Sequence, residues 1–227
     1  MKVSVVIPAY NEQRFINDCL LSLAHQEEKP DEIILIDNNS TDRTVEISER
    51  FGLRVLKERR QGIAFARNRG FNEARFEIVA RCDADSVLPP DWIKKIKKDF
   101  SRNTIDALVS PLAFYDLFLK GTLAIKLYNS FLKLILHHYP LNGPNMVLTK
   151  KIWNKVKDKV CLDDKKVHED IDLSIHIAEA GGKIGYDKTL IIQISGRRIK
   201  NNPASFFLEY PLRVIRTIQV HGSKGNR

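Results

Sequence analysis

The feature that most restricts the fold of this chain is an alternation of short aliphatic runs with segments of helical spacing. Val3–Ile7, Glu32–Ile36, Leu53–Leu56, Ile78–Arg81 and Ala107–Val109 are short, rich in Val, Ile and Leu, and bounded by turn residues. That is the pattern of buried parallel strands. Between the first two, Phe15, Ile16, Cys19, Leu20 and Leu23 fall on one helical face. Ser40-Thr41-Asp42 offers a helix cap before Val45 and Ile47. Gly62 to Ala74 carries Ala64, Ala66, Gly70 and Ala74, small enough to let a helix lie close on a sheet. The order predicts an α/β fold, a Rossmann-like open and mostly parallel sheet flanked by helices. At 227 residues and 26.1 kDa, one such domain fits better than two independent ones.

Ligands of open α/β sheets bind outside the carboxyl ends of the strands. Three polar clusters stand there: Pro8-Ala9-Tyr10-Asn11-Glu12 after the first strand, Asp37-Asn38-Asn39-Ser40 after the second, and Asp83-Ala84-Asp85 after the fourth. Any one of them alone reads as a turn, because Pro, Asn and Asp are turn formers. Three on one edge read as a binding crevice.

Asp83-Ala84-Asp85 carries the clearest chemistry. In extended backbone, residues two apart point the same way, so both carboxylates can face one ion or one diphosphate. Carboxylate oxygens suit Mg2+ or Mn2+, hard cations that also take substrate phosphates as ligands. No GxGxxG follows the first strand and no GxxxxGK[ST] occurs, so neither a dinucleotide fingerprint nor a P-loop is indicated.

Bulk properties narrow the partners. The net charge of +9 suits nucleic acid, anionic lipid or a diphosphate alike, and no nucleic-acid-binding motif supports the first. Cys19, Cys82 and Cys161 are odd in number and form no CxxC, so neither a disulfide framework nor a zinc site is expected. The expected compartment is the cytoplasm, with the inner membrane surface as an alternative. Met1 to Pro8 is too short an apolar run for a signal peptide. Leu112–Leu136 is interrupted by Asp116, Lys120, Lys126 and Lys133 and should not cross a bilayer.

Four ordered motifs together resemble the family 2 glycosyltransferases of GT-A fold. They are Ser4-Val5-Val6-Ile7-Pro8-Ala9-Tyr10-Asn11-Glu12, Ile36-Asp37-Asn38-Asn39-Ser40-Thr41-Asp42, Ala66-Arg67-Asn68-Arg69-Gly70 and Asp83-Ala84-Asp85. Glu169-Asp170-Ile171-Asp172-Leu173 is similar to the family's later acidic motif, and the resemblance covers about residues 2–185. It implies an inverting, metal-dependent transfer from a nucleotide-diphosphate sugar to a carbohydrate or lipid-linked acceptor.

By position, the resemblance points to Pro8, Ala9, Tyr10, Glu12 and Asp37 around the base, and to Arg67 near the base or phosphates. Asp85 is implied as the principal metal ligand, with Asp83 and Ala84 beside it. Residues 1–110 would form the nucleotide-sugar half and 111–227 the acceptor-side half of one continuous domain. The catalytic base is implied at Asp170, with Glu169 second and Asp172 structural. Acids at a helix start also serve as caps, so Asp170 keeps that bland alternative. The processive synthases' QxxRW element is missing, which implies a single transfer. A nucleotidyltransferase and a non-catalytic basic nucleotide or nucleic-acid binder are the competing classes.

Farther on, Leu119, Leu123, Leu127, Phe131 and Ile135 recur every four residues within Leu112 to His138. The first expectation is a helix packed on the sheet or on a second subunit, and a membrane-surface helix is the alternative. Asn142-Gly143-Pro144-Asn145-Met146 resembles the family's acceptor-side loop. Ile171, Ile175 and Ala178 share a helix face that Gly181-Gly182 should end. The charged stretch Lys150 to Lys166 departs from the family pattern. The basic tail from Ser195 reads as solvated surface or as a dock for anionic lipid. Only His221 could add a C-terminal histidine to the metal.

Overall fold

All seven residues of β1 (Val3–Ala9) are buried, so this strand lies deep in a sheet and divides its side chains between two layers. Val3, Val5, Ile7 and Ala9 pack with Cys19, Leu20 and Leu23 of α1 (Ile16–Ala24). Val6 packs on the other face, with Ala66 and Phe71 of α3 (Ile63–Glu73). The two-residue period of a strand thus serves two helical layers. This is a computed structural model that describes residues 1–117, 122–163, 166–203 and 208–222, the side chains of 122 and 124 excepted.

β2 (Glu32–Asp37), β3 (Arg54–Lys57) and β4 (Ile78–Arg81) join β1 in parallel, and α2 (Thr44–Glu49) links β2 to β3. After α4 (Trp92–Arg102) come β5 (Ala107–Val109), β6 (Leu112–Phe114), α5 (Thr122–Leu136), β7 (Met146–Thr149) and α6 (Lys150–Val156). The chain continues through α7 (Glu169–Glu179), β8 (Ile184–Tyr186), β9 (Ile192–Ile194), α8 (Arg197–Asn201) and α9 (Tyr210–Gly222). The seven-stranded sheet runs β3-β2-β1-β4-β7-β5-β8, and β6 pairs with β9 apart from it. The expected mostly parallel open sheet flanked by helices is the observed architecture.

Three local features place the site. Gly70 brings α3 onto the sheet: a Cβ there would lie 2.1 Å from Val6 Cγ1. β7 is antiparallel to both neighbours and pairs Met146 with Arg81, which sets the loop before it beside the end of β4. A bridge between Val87 and Gln193 ties β9 to the segment after Asp85, so the chain leaving β9 enters the crevice.

The expectation for Leu112 to His138 needs correction. Its first residues form β6, Leu119 and Lys120 lie outside the described residues, and the helix is Thr122–Leu136. The apolar stripe faces solvent instead of the sheet: Leu123, Leu127 and Phe131 are 71%, 63% and 60% exposed, and Ile135 is exposed too. Leu132 turns inward against Ile171, Ile175 and Val214, with Leu136 partly buried beside it and Ile125 packed toward the main core. Helical period identifies an apolar face but not what covers it. No helix among the described residues is long and apolar enough to cross a membrane.

Candidate active site

The carboxyl ends of β1, β2 and β4 open on one edge. Pro8 and Ala9 close β1, the exposed Tyr10 follows, and the Ala9 carbonyl accepts the Asn38 N–H at 2.8 Å. Asp37, buried at the end of β2, accepts the Ser40 N–H at 2.9 Å. Asn38 ties three elements together, donating to the carbonyls of Glu58 and Arg60 and accepting the Gly62 N–H. Asn11 and Asn39 hold left-handed φ values of 55° and 67°, which asparagine tolerates better than most side chains. The N-cap of α2 is Arg43, whose side chain makes no capping bond, and Asp42 one residue earlier accepts the Thr44 N–H at 2.9 Å.

The strand carrying Ile78-Val79-Ala80 ends in a buried arginine. Arg81 donates to Asp83 Oδ1 at 3.2 Å from Nε and 2.9 Å from Nη2. Ala84 is buried, and Asp85 Oδ2 lies 3.1 Å from Nε of Arg197. The terminal nitrogens of Arg197 grip both oxygens of Glu12 at 2.6 and 2.5 Å, and its guanidinium lies over the Phe15 ring. Burial and the Asp83 charge push the Asp85 carboxyl up to about 7, against the pull of Arg197. Glu12, Asp83 and Asp85 thus converge where the guanidiniums of Arg197 and Arg81 offset part of their charge. Hard oxygen donors with surplus negative charge fit Mn2+ or Mg2+.

At the other side stands the start of α7. Glu169 accepts from Arg81 Nη1 at 2.6 Å and from Arg67 Nη1, which also reaches the Glu169 carbonyl at 3.0 Å. Burial opposes ionisation of Glu169, but the two guanidiniums hold it well below the usual carboxylate range. Asp170 behaves oppositely: burial and the neighbouring Glu169 charge push it well up. Its Oδ2 accepts the Gly143 N–H at 2.7 Å, while Oδ1 is buried without a hydrogen-bond partner and lies 3.7 Å from Arg81 Nη1. The loop passes close to the guanidinium at Gly143, where a Cβ would stand 2.8 Å from Arg81 Nη2 and would have to displace it. Neither acid caps α7: its N-cap is His168, with no side-chain capping bond.

The structure therefore joins Asp83, Asp170, Glu169 and Arg67 through Arg81, and joins Asp85 to Glu12 through Arg197. Fully buried Arg67 is turned to Glu169 and is not an exposed helix residue. His221 pairs with Asp172, at 2.9 Å. Sequence reading passed over Arg81 and left Arg197 in a basic tail. The available signal for Arg81 was a charge ending an otherwise apolar buried strand, since such a charge must be paired.

Residues 4–156 match the profile described as Glycosyl transferase family 2. The chain belongs to that family. Among curated relatives, the uncharacterized glycosyltransferase EpsJ of Bacillus subtilis is 30% identical over 109 residues, 46% of this chain and 32% of that protein. Glycosyltransferase GlyG of Streptococcus pneumoniae is 30% identical over 120 residues, 50% of this chain and 40% of that one. The matched regions thus span less than half the length of these relatives. The mannosyltransferase PcManGT of Pyrobaculum calidifontis, solved with GDP-Man and Mn2+, superposes with a TM-score of 0.77 at 19% identity, covering 97% of this chain and 64% of that one. S. aureus TarS (residues 1–349) with UDP-GlcNAc gives 0.69 at 19% identity, over 87% and 59%. The chain shares the GT-A fold of these two glycosyltransferase structures.

Proposed function

We propose that this family 2 chain transfers a sugar from a nucleotide-diphosphate donor to an acceptor hydroxyl or lipid phosphate, once per encounter and with inversion. The observation that carries the reading is the contrast between Glu169 and Asp170. Glu169 is held ionised by two arginines and so is a weak base. Asp170 resists ionisation and keeps one oxygen without a partner. A raised pKa makes Asp170 the better proton acceptor once ionised.

Residues 1–110 hold the donor in this reading, with Pro8, Ala9, Tyr10, Glu12 and Asp37 around the base and Asp83-Ala84-Asp85 at the diphosphate. Residues 111–227 present the acceptor, whose oxygen lies against Asp170 Oδ1. Asp170 takes the hydroxyl proton, the oxygen bonds to the anomeric carbon, and the bond to the diphosphate breaks with its electron pair. A lipid-phosphate acceptor, already ionised, would need no proton removed. Asp85 and Asp83 would hold Mn2+ or Mg2+, which supplies charge stabilisation to the departing diphosphate. Arg81 fixes Asp83, Glu169 and Asp170 in one array, and Arg67 keeps Glu169 in place. The bound nucleotide sugars and Mn2+ of the structural neighbours support the same class of donor.

The outward stripe of α5 supports peripheral contact with an anionic bilayer. Leu123, Leu127, Phe131 and Leu134 are exposed, Lys126 and Lys133 stand among them, and the chain carries +9 overall. Apolar insertion and lipid charge then act together. Sedimentation with anionic vesicles should carry the protein down and Phe131→Glu should release it. Dimerisation through this face without vesicle binding would overturn the contact.

Isothermal titration with a panel of nucleotide diphosphates, with and without Mn2+, tests the core reading. Metal-dependent binding of one nucleotide, followed by release of that nucleotide diphosphate from its sugar donor, is expected. Pyrophosphate release instead would assign the chain to nucleotidyl transfer.

A further inference from the structure

On α7, Asp170 and Asp172 stand two residues apart, so their side chains leave the helix on different sides. Asp170 turns to Gly143 and Arg81. Asp172 turns to another group, made with His176 one turn later and His221 of α9. One potential ligand atom from each of these three lies within 4.8 Å of the others. Asp172 Oδ2 accepts the Cys161 N–H at 2.8 Å, leaving Oδ1 for the histidines. That oxygen is 2.9 Å from His221 Nε2 and 3.7 Å from His176 Nε2.

We propose that Asp172, His176 and His221 form a zinc-type metal site that staples α9 to α7, separate from the Asp83–Asp85 edge. Four-coordinate zinc with bonds of about 2.0–2.1 Å to nitrogen and oxygen spaces its ligands about 3.3 Å apart, and the two observed separations bracket that value. Imidazole with one carboxylate favours zinc and its transition-metal neighbours over Mg2+. The outer shell is also in place. Glu179 Oε2 is 3.0 Å from His176 Nδ1, and Oε1 is 3.7 Å from His221 Nδ1. The 3.0 Å contact holds the proton on His176 Nδ1 and leaves its Nε2 lone pair for the ion, whereas the 3.7 Å approach to His221 is too long for a hydrogen bond.

The three side chains are at least nine-tenths buried, and His221 Nδ1 is enclosed without a hydrogen-bond partner. Burying two imidazoles on one carboxylate oxygen is costly unless something uses their lone pairs. A bound cation does so. Besides His221, the buried residues of α9 are Val214 and Thr217, and Thr217 accepts the His168 N–H at 2.7 Å. The ion would fix the helix that packs beside the residue preceding Glu169-Asp170.

The test is titration of the metal-stripped full chain with Zn2+ alone, read by calorimetry and by melting temperature. Co2+ is used in parallel for its visible absorption. One equivalent of Zn2+ should bind and raise the melting temperature, and Co2+ should give the intense band of a tetrahedral site. Asp85→Asn should bind Zn2+ as the wild type does. His176→Gln and His221→Gln should lose the site. Exposed Glu179→Gln, which should fold normally, should weaken it roughly tenfold. Loss of zinc in Asp85→Asn, zinc binding that survives in His176→Gln, or a weak octahedral Co2+ spectrum in the wild type would each overturn the proposal.

Discussion

Arg197 reaches across the candidate site to Asp85: the arginine Nε stands 3.1 Å from Oδ2 while its terminal nitrogens hold Glu12. The carboxylate proposed to bind metal therefore already has a cation. If Asp85 takes a metal ion, metal and guanidinium would compete for it, and a displaced Arg197 would be free to meet the diphosphate. For Arg197→Ala at alkaline pH, where Asp85 is ionised in both proteins, tighter Mn2+ binding without donor is expected. Donor affinity should fall by about 1.5–3 kcal/mol, the range for hydrogen bonds to charged groups. Mn2+ and donor titrations check the two signs separately. Weaker Mn2+ binding would show that Arg197 supports the cation instead of competing with it.

Gly70→Ala tests the approach of α3 to β1. The added methyl would meet Val6 Cγ1 at 2.1 Å, so α3 must shift or Val6 must change rotamer. Overpacking of this kind costs about 1–3 kcal/mol. In a Val6→Ala background the same change should cost about 0.5–3 kcal/mol less, because the clashing atom is gone. Denaturant melts of the four proteins close the cycle, and strict additivity would show that the helix does not press on Val6.

The first half of the chain was legible because its information is local. β4 and β5 span the residues the sequence indicated, β1, β2 and β3 differ by a residue or two at their ends, and the small residues of α3 announced its close packing. What escaped was non-local. Nothing in Met146-Val147-Leu148-Thr149 says that it inserts antiparallel between β4 and β5, or that Leu112–Phe114 pairs with Ile192–Ile194. The candidate site shows the same division. Its acids were visible as motifs, whereas Arg81 and Arg197, which organise them, come from the buried last position of β4 and from a segment more than 100 residues beyond Asp85. Capping was a fair alternative for Asp170 until the loop at Gly143 was seen to claim its carboxylate.

His168 gives the fold a defined acid sensitivity. Burial, reinforced by nearby arginine charge and opposed by Glu169, lowers its pKa from 6.5 to about 4, and its Nδ1 is enclosed without a partner. The folded state disfavours the proton that the unfolded chain accepts. The associated stability is therefore complete above about pH 6.5 and is lost as pH falls through about 4. At about 1.4 kcal/mol per pH unit, the loss is at most about 3.5 kcal/mol. His168→Phe keeps a ring against Tyr210, with which His168 makes an edge contact at 5.0 Å. Stability curves of the two proteins should diverge between these pH values, the variant being the less acid-sensitive. Parallel curves would place the acid sensitivity elsewhere.

Asp170→Asn separates structure from chemistry at the proposed base. The amide oxygen can still accept the Gly143 N–H, so the loop should stay in place. Removing the carboxyl also removes a group whose charge is disfavoured by burial and by Glu169. Stability should therefore be unchanged or higher near neutral pH, since the variant loses nothing that caps α7. Donor affinity should be near that of the wild type, because the arginine array retains Asp83 and Glu169. The transfer rate to a hydroxyl acceptor should fall by about 10²–10⁴, the usual contribution of a positioned base. In the wild type, the acid limb of the rate profile should lie above the ordinary carboxylate range and vanish in the variant. Glu169→Gln should instead lower stability, because it leaves Arg67 and Arg81 without their shared carboxylate. Wild-type transfer by Asp170→Asn would remove Asp170 from the reaction. A loss confined to Glu169→Gln, in a folded protein that still binds donor, would move the base to Glu169.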